Sequence, residues 1–272
     1  MFTPSRLTVA RKRRGLMKNQ LAKLVGVTSR SITAYETGEC EPSDATSDAL
    51  ASTLKFPKSF FFASEIDEPL PESASFRALT NMTAGQRDAA LAAGALALEL
   101  SEWIDKRFKL PPCDVPDFRD YDPEAAADAL RERWSIGLKP IGNVVHLLES
   151  KGVRVFSLAE QCLRVDAFSI WRGNVGFVFL NTQKSSEHSR FDAAHELGHL
   201  VLHRHGGPRG REAEHEANRF ASAFLMPRAS VLGVAPLSMV TVETLIALKA
   251  AWSVSVAALA HRLRSLQLVS EW

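Results

Sequence analysis

A chain of 272 residues, 46% hydrophobic and 24% charged, has the composition of a globular protein with one large core or two modest ones. No apolar run approaches the roughly 18 residues that a membrane span needs. The opening MFTPSRLTVARKRR lacks an apolar stretch followed by a small-residue cleavage site, which argues against a secretory leader. The net charge of +2 conceals an asymmetry: residues 1–38 carry eight basic side chains against the single acid Glu36, and the remainder is net acidic. A basic end on an acidic body suggests an anionic partner for that end. Cys40, Cys113 and Cys162 are far apart and odd in number, in no metal or redox spacing, as expected of a protein from a reducing cytoplasm.

Residues 5–55 read as short helices broken at Gly15, Gly26 and Gly38, followed by a Pro- and acid-bearing stretch from Phe56 to Ser75. Residues 84–108, Ala/Leu-rich and ending before Pro111-Pro112, predict a long helix. Asp122-Pro123 predicts the start of another, the aspartate as N-cap and the proline in the first turn. Residues 140–151 read as a helix stopped by Gly152, and Val153–Ser157, Arg164–Ile170 and Gly176–Asn181 as short strands, the last two joined by a turn at Arg172-Gly173-Asn174. Helical patterns return at about 189–203, 212–225, 241–251 and 255–266. The parse is an α+β protein: an all-α domain at 1–62, a connector with a long helix at 63–110, and a mainly helical domain with a small β-sheet at 111–272.

From Lys18 to Tyr35 the apolar positions Leu21, Val25, Val27, Ile32 and Tyr35, with Ala22 and Gly26 between them, are spaced for two helices crossing through a tight turn. Thr28 is placed to cap the second helix. In a helix-turn-helix that helix enters the major groove, which would put Thr28, Ser29, Arg30 and Thr33 near the bases and leave Arg11, Arg14 and Lys18 as candidates for phosphate contacts. The alternative is a helical bundle with a solvated basic face. Residues 4–55, with Tyr35-Glu36-Thr37-Gly38 and Glu41-Pro42, resemble the phage-repressor (Cro/XRE-type) helix-turn-helix family. The resemblance implies binding to double-stranded operator DNA, commonly as a homodimer. It departs at Lys18, where many members have Gln.

The sharpest pattern is His195-Glu196-Leu-Gly-His199. Histidines four apart share a helix face and can reach one tetrahedral metal, and Glu196 beside them can serve as general base. Two core histidines making ordinary hydrogen bonds are the bland alternative. His203 continues the face but lies roughly 12 Å along the axis from His195, too far to be a third ligand; it is read as a helix-end, substrate-facing or supporting histidine. Glu212–Ala221 offers better candidates. Glu214 and Glu216 flank the apolar stripe of Ala217, Phe220, Ala221 and Phe224 on opposite sides, so periodicity does not choose between them, and His215 should face solvent.

Phe177–Asn181, Arg190-Phe191, the HELGH motif, Glu216-Ala-Asn218-Arg-Phe220-Ala221, Leu225-Met226-Pro227 and the tail through Arg262 resemble the ImmA/IrrE-type metallopeptidase family. Asp192 is a departure, standing where that stretch is usually apolar or Thr-bearing. The resemblance implies a zincin-like fold of the gluzincin kind and a Zn2+ endopeptidase: His195, His199 and Glu216 as ligands, Glu196 as general base, and a protein substrate, helix-turn-helix repressors among the candidates. The run Gly176–Asn181 would offer a sheet edge to an extended substrate. The competing reading is a transcription factor whose peptidase-like domain senses a ligand or holds a dimer.

Overall fold

A computed structural model describes residues 1–69, 74–76, 83–158, 166–204, 210–234 and 241–269. Pro71 of the expected connector, Cys162, and the beginning of the strand expected from Arg164 lie outside the described residues. The chain divides into two compact units, one of Met1–Ala74, Thr80–Lys109 and Leu158–Val165, the other of Ser75–Leu79, Leu110–Ser157 and Asp166–Trp272. No helix among the described residues is long and apolar enough to cross a membrane.

The first unit is built from α1 (Pro4–Arg13), α2 (Lys18–Val25), α3 (Ser29–Thr37), α4 (Asp44–Leu54) and α5 (Ala84–Asp105). Gly26 ends α2 in the left-handed region at φ 79°, which a residue with a Cβ holds only at a cost. Thr28 caps α3 by accepting from the Ser31 amide at 3.0 Å. Leu21, Ala22 and Ile32 are buried with Leu7, Leu50, Leu54 and Phe61, and Val25, Val27 and Tyr35 pack against them. A 3-10 turn at Lys58–Phe62, not legible as a helix from periodicity, sends Phe61 into this core, its ring stacked on Phe2 at 6.1 Å. The helix expected within a connector is α5, which packs on α1 inside this unit. Val9 meets Ala92 and Ala95, and Arg6 pairs with Glu99 at 2.5 Å. Small residues on that face of α5 allow the close approach.

The second unit holds α6 (Pro123–Arg133), α7 (Val144–Ser150), α8 (Ser186–Leu202), α9 (Arg211–Leu225), α10 (Arg228–Val234), α11 (Val242–Lys249) and α12 (Val256–Ser265). Asp122 caps α6, accepting from the Glu124 amide at 2.9 Å. Its sheet runs β1-β3-β4-β2, from β1 (Ala74–Phe76), β2 (Arg154–Ser157), β3 (Ala167–Arg172) and β4 (Val175–Leu180). β3 and β4 pair antiparallel through the turn at Gly173-Asn174. β2 pairs parallel with β4 on its other side. The run Gly176–Asn181, expected to offer an edge, is therefore central: both sides of β4 are taken, and no ladder is left for an added strand.

α8 lies over β3 and β4, and every residue from Asp192 to Leu202 is buried. At Gly198 an added Cβ would meet Phe220 Cδ1 at 3.0 Å and Ala217 Cα at 3.2 Å, so α8 and α9 approach so closely there that a side chain would force its neighbours to shift. Arg131 of α6, 2% exposed, donates to the carbonyls of Gly137, Phe224 and Lys139. Desolvation pulls its pKa down to about 10, and the three carbonyls replace the water its charge has lost.

Candidate metal centre and nucleic-acid interface

α8 and α9 bring three donor side chains together. His195 Nε2 and His199 Nε2 approach to 3.1 Å. Glu214 Oε2 lies 3.2 Å from His195 Nε2, and Glu214 Oε1 lies 3.4 Å from His199 Nε2. Zinc bonds of about 2.0–2.1 Å at tetrahedral angles separate neighbouring donors by roughly 3.3–3.4 Å, so the donor set fits a tetrahedral divalent ion with its fourth position open. Burial works against ionisation of Glu214. Hydrogen bonds and charge from His195 and His199 outweigh it and hold the carboxyl at about 2.

Glu216, expected as the third ligand, is not in this group. It lies on the other side of the α9 stripe, where its Oε2 accepts from His203 Nε2 at 2.9 Å. The helix wheel leaves the two acids on opposite flanks, and the packing of α9 on α8, which a wheel does not contain, brings Glu214 to the histidines. His215 is exposed as expected.

Glu196 is fully buried beside the donors and accepts from Ser169 Oγ of β3 at 2.7 Å. Two residues along the same face of β3, Trp171 Nε1 donates to the Leu200 carbonyl at 3.2 Å and fixes α8 on the sheet. His195 Nδ1 lies 3.1 Å from Asn218 Oδ1. His199 Nδ1 lies 3.0 Å from Nδ1 of His203. Burial, the largest influence, takes the His203 pKa below the ordinary histidine value against the opposing pull of Glu216. Asp192, unusual for the resembled motif, is 1% exposed and faces His188 at 3.4 Å and Lys184 at 3.8 Å. Sequence reasoning missed Ser169 and Asn218 as supports. A lone serine within the otherwise apolar Ala167–Trp171 was the only visible signal for the first.

In the first unit, Thr28, Ser29 and Arg30 are exposed at the start of α3, with Thr33 half-buried one turn on. Lys18, at the start of α2, is 38% exposed and 3.3 Å from Glu36. Two of the residues expected on phosphate are engaged within the fold. Arg11 is buried, pairs with Glu36 at 2.5 Å and donates to the Leu16 carbonyl at 2.8 Å. Arg14 donates to the carbonyl of Leu54 at 2.6 Å and to that of Lys55 at 3.2 Å, its guanidinium 5.2 Å from the Phe56 ring centroid. Lys12 pairs with Glu68 at 2.6 Å. Glu68 and Glu99, acids from beyond residue 38, thus neutralise Lys12 and Arg6 within the fold, and formal charge overstated the charge presented outward.

Residues 148–264 match the family described as IrrE N-terminal-like domain, a metallopeptidase family (M78), and residues 5–59 match a helix-turn-helix domain. A search of the curated proteins found no match to the chain. The chain thus carries a segment similar to a helix-turn-helix domain, followed by a segment similar to an IrrE-like, metallopeptidase-type domain.

Proposed function

We propose that the protein is a DNA-binding regulator whose second unit is a zinc-dependent endopeptidase acting on a protein, with helix-turn-helix repressors the first class of substrate to try. The observation that carries this reading is the approach of His195, His199 and Glu214 to within 3.1–3.4 Å of one another beside the buried Glu196. His195, His199 and Glu214 are the ligands in this reading. A zinc ion held there would supply Lewis acidity to the scissile carbonyl and lower the pKa of a water molecule. Glu196 would take a proton from the attacking water at its carboxylate and return it to the departing amine. Ser169 holds Glu196 in place, and Asn218 holds His195. Enclosure of α8 keeps bulk water from competing for these contacts.

The first experiment is elemental mass spectrometry of the purified chain beside Glu214→Ala and Glu216→Ala. About one zinc per chain is expected in the wild type and in Glu216→Ala. Glu214→Ala should bind about 10²–10³-fold more weakly, roughly one ligand's share of the ~10–16 kcal/mol typical of structural zinc. A wild type that takes up no added zinc would end the peptidase reading.

For the first unit, Ser29, Arg30 and Thr33 are assigned to base edges, with Thr28 as the cap that positions them and Lys18 on phosphate. Lys18→Ala should weaken binding to all duplexes alike and reduce the slope of log affinity against log salt by about one. Arg11→Ala should instead lower the unfolding temperature, because it strips the buried Glu36 of its closer partner and leaves it only the longer contact with Lys18. Fluorescence anisotropy on duplexes selected from a random-sequence pool measures the former. An unchanged salt slope for Lys18→Ala would remove Lys18 from the interface.

A further inference from the structure

The ligand reading above employs Glu214 and leaves Glu216 and His203 without a task. We propose that His203 and Glu216 form an orienting relay behind His199, making them positioning residues for the metal centre. The inference rests on the zinc reading of that centre.

His199 directs Nε2 at the other donors, so a ligating His199 keeps its lone pair there and carries its hydrogen on Nδ1. That Nδ1 lies 3.0 Å from His203 Nδ1, which must then accept and leaves the His203 hydrogen on Nε2. His203 Nε2 in turn lies 2.9 Å from Glu216 Oε2, an acceptor. Given neutral rings, a ligating His199 admits one arrangement of hydrogens through all four atoms, and a carboxylate is the group that completes it. The opposite tautomer of His203 would turn a donor toward His199 Nδ1 and move the His199 hydrogen onto the nitrogen that must bind metal. The two ligating histidines are therefore held by different means. His195 leans on the neutral amide of Asn218, while His199 leans on a second imidazole backed by a charge.

Burial separates this from a helix-end ion pair at the surface: the side chains of His203 and Glu216 are 10% and 30% exposed. Carboxylates behind ligating histidines raise ligand basicity and fix ring orientation, and their removal usually costs 10–100-fold in metal affinity.

The test uses the full chain. Zinc affinity is measured by competition with a chromophoric chelator for wild type, Glu216→Ala, Glu216→Gln, His203→Ala and the double Ala variant, with urea midpoints for each. Glu216→Ala and His203→Ala should each bind zinc about 10–100-fold more weakly while keeping one site. The double variant should be no weaker than the poorer single, since the two act as one unit. Glu216→Gln, whose amide oxygen still accepts from Nε2, should recover part of the loss. The cobalt-substituted chain should change its visible d–d absorption in Glu216→Ala, which a merely structural role would leave alone. Nitrogen-15 NMR of the zinc-loaded wild type should find His203 protonated on Nε2.

Unchanged zinc affinity in Glu216→Ala, a lowered urea midpoint as the sole effect, or an Nδ1-protonated His203 would overturn the relay while the zinc reading stands. A wild type that binds neither zinc nor cobalt would overturn both.

Discussion

Glu196→Gln is expected to slow peptide-bond hydrolysis by about 10²–10⁴-fold, the range lost when a positioned general base is removed, while zinc content stays that of the wild type. The substitution is nearly isosteric, and the amide oxygen can still accept from Ser169 Oγ, which lies 2.7 Å from the Glu196 carboxylate in the native chain. Packing around this fully buried side chain is preserved. What disappears is a carboxylate beside the donors that can take a proton without leaving the set of ligands. Cleavage of a peptide library or of denatured protein, followed by mass spectrometry at equal zinc occupancy, measures the effect. Wild-type rates in the variant would remove Glu196 from the chemistry.

Arg131→Ala is expected to destabilise the second unit by about 3–5 kcal/mol, a large share of the 5–15 kcal/mol that holds an ordinary domain together. The guanidinium ties α6 to the end of α9 through the Phe224 carbonyl and closes the turn after α6 through Gly137 and Lys139. Truncation leaves these carbonyls without their donor and opens space beside Phe224, whose ring lies 5.9 Å from the guanidinium carbon. One compensation acts the other way, because the charge is costly to bury, as its lowered pKa indicates. Three unpaired carbonyls and a cavity outweigh it. Arg131→Met, which fills the space without supplying donors, should recover the cavity part alone. Urea midpoints of the two variants separate the contributions, and equal midpoints for wild type and Arg131→Ala would refute the assignment.

The helices were legible in the sequence wherever a cap or a periodic stripe marked them. Asp122-Pro123 announced α6, Gly26 and Thr28 the crossing of α2 and α3, and the histidine spacing the donor face of α8. Quantities set by the meeting of two elements were not legible. Glu214 and Glu216 have equal standing on a helical wheel, and the packing of α9 on α8 at Gly198 decides which one joins the histidines. Strand identity in β4 could be read from Gly176–Asn181, but its central place depends on β2, contributed from earlier in the chain. Counting basic residues could not reveal that Glu36, Glu68 and Glu99 hold Arg11, Lys12 and Arg6 inside the fold. Each of these is a pairing between distant positions, and composition and periodicity are local measures.

The contact at Gly198 has a consequence for how the centre is supplied. Small zinc domains collapse only when their ion arrives, because the ion does the work of a core. Here the seam between α8 and α9 is made by Gly198, Ala217 and Phe220, none of which is a donor, and Phe220 belongs to a buried cluster that also takes residues from α6, α7 and α12. A frame cored this way is expected to fold without the ion, so that loading docks the ion on a finished frame and its removal leaves that frame folded. On the proposed zinc reading, activity would then follow the free ion available to a standing pool of folded chains, gained or lost within one binding step and with no new synthesis.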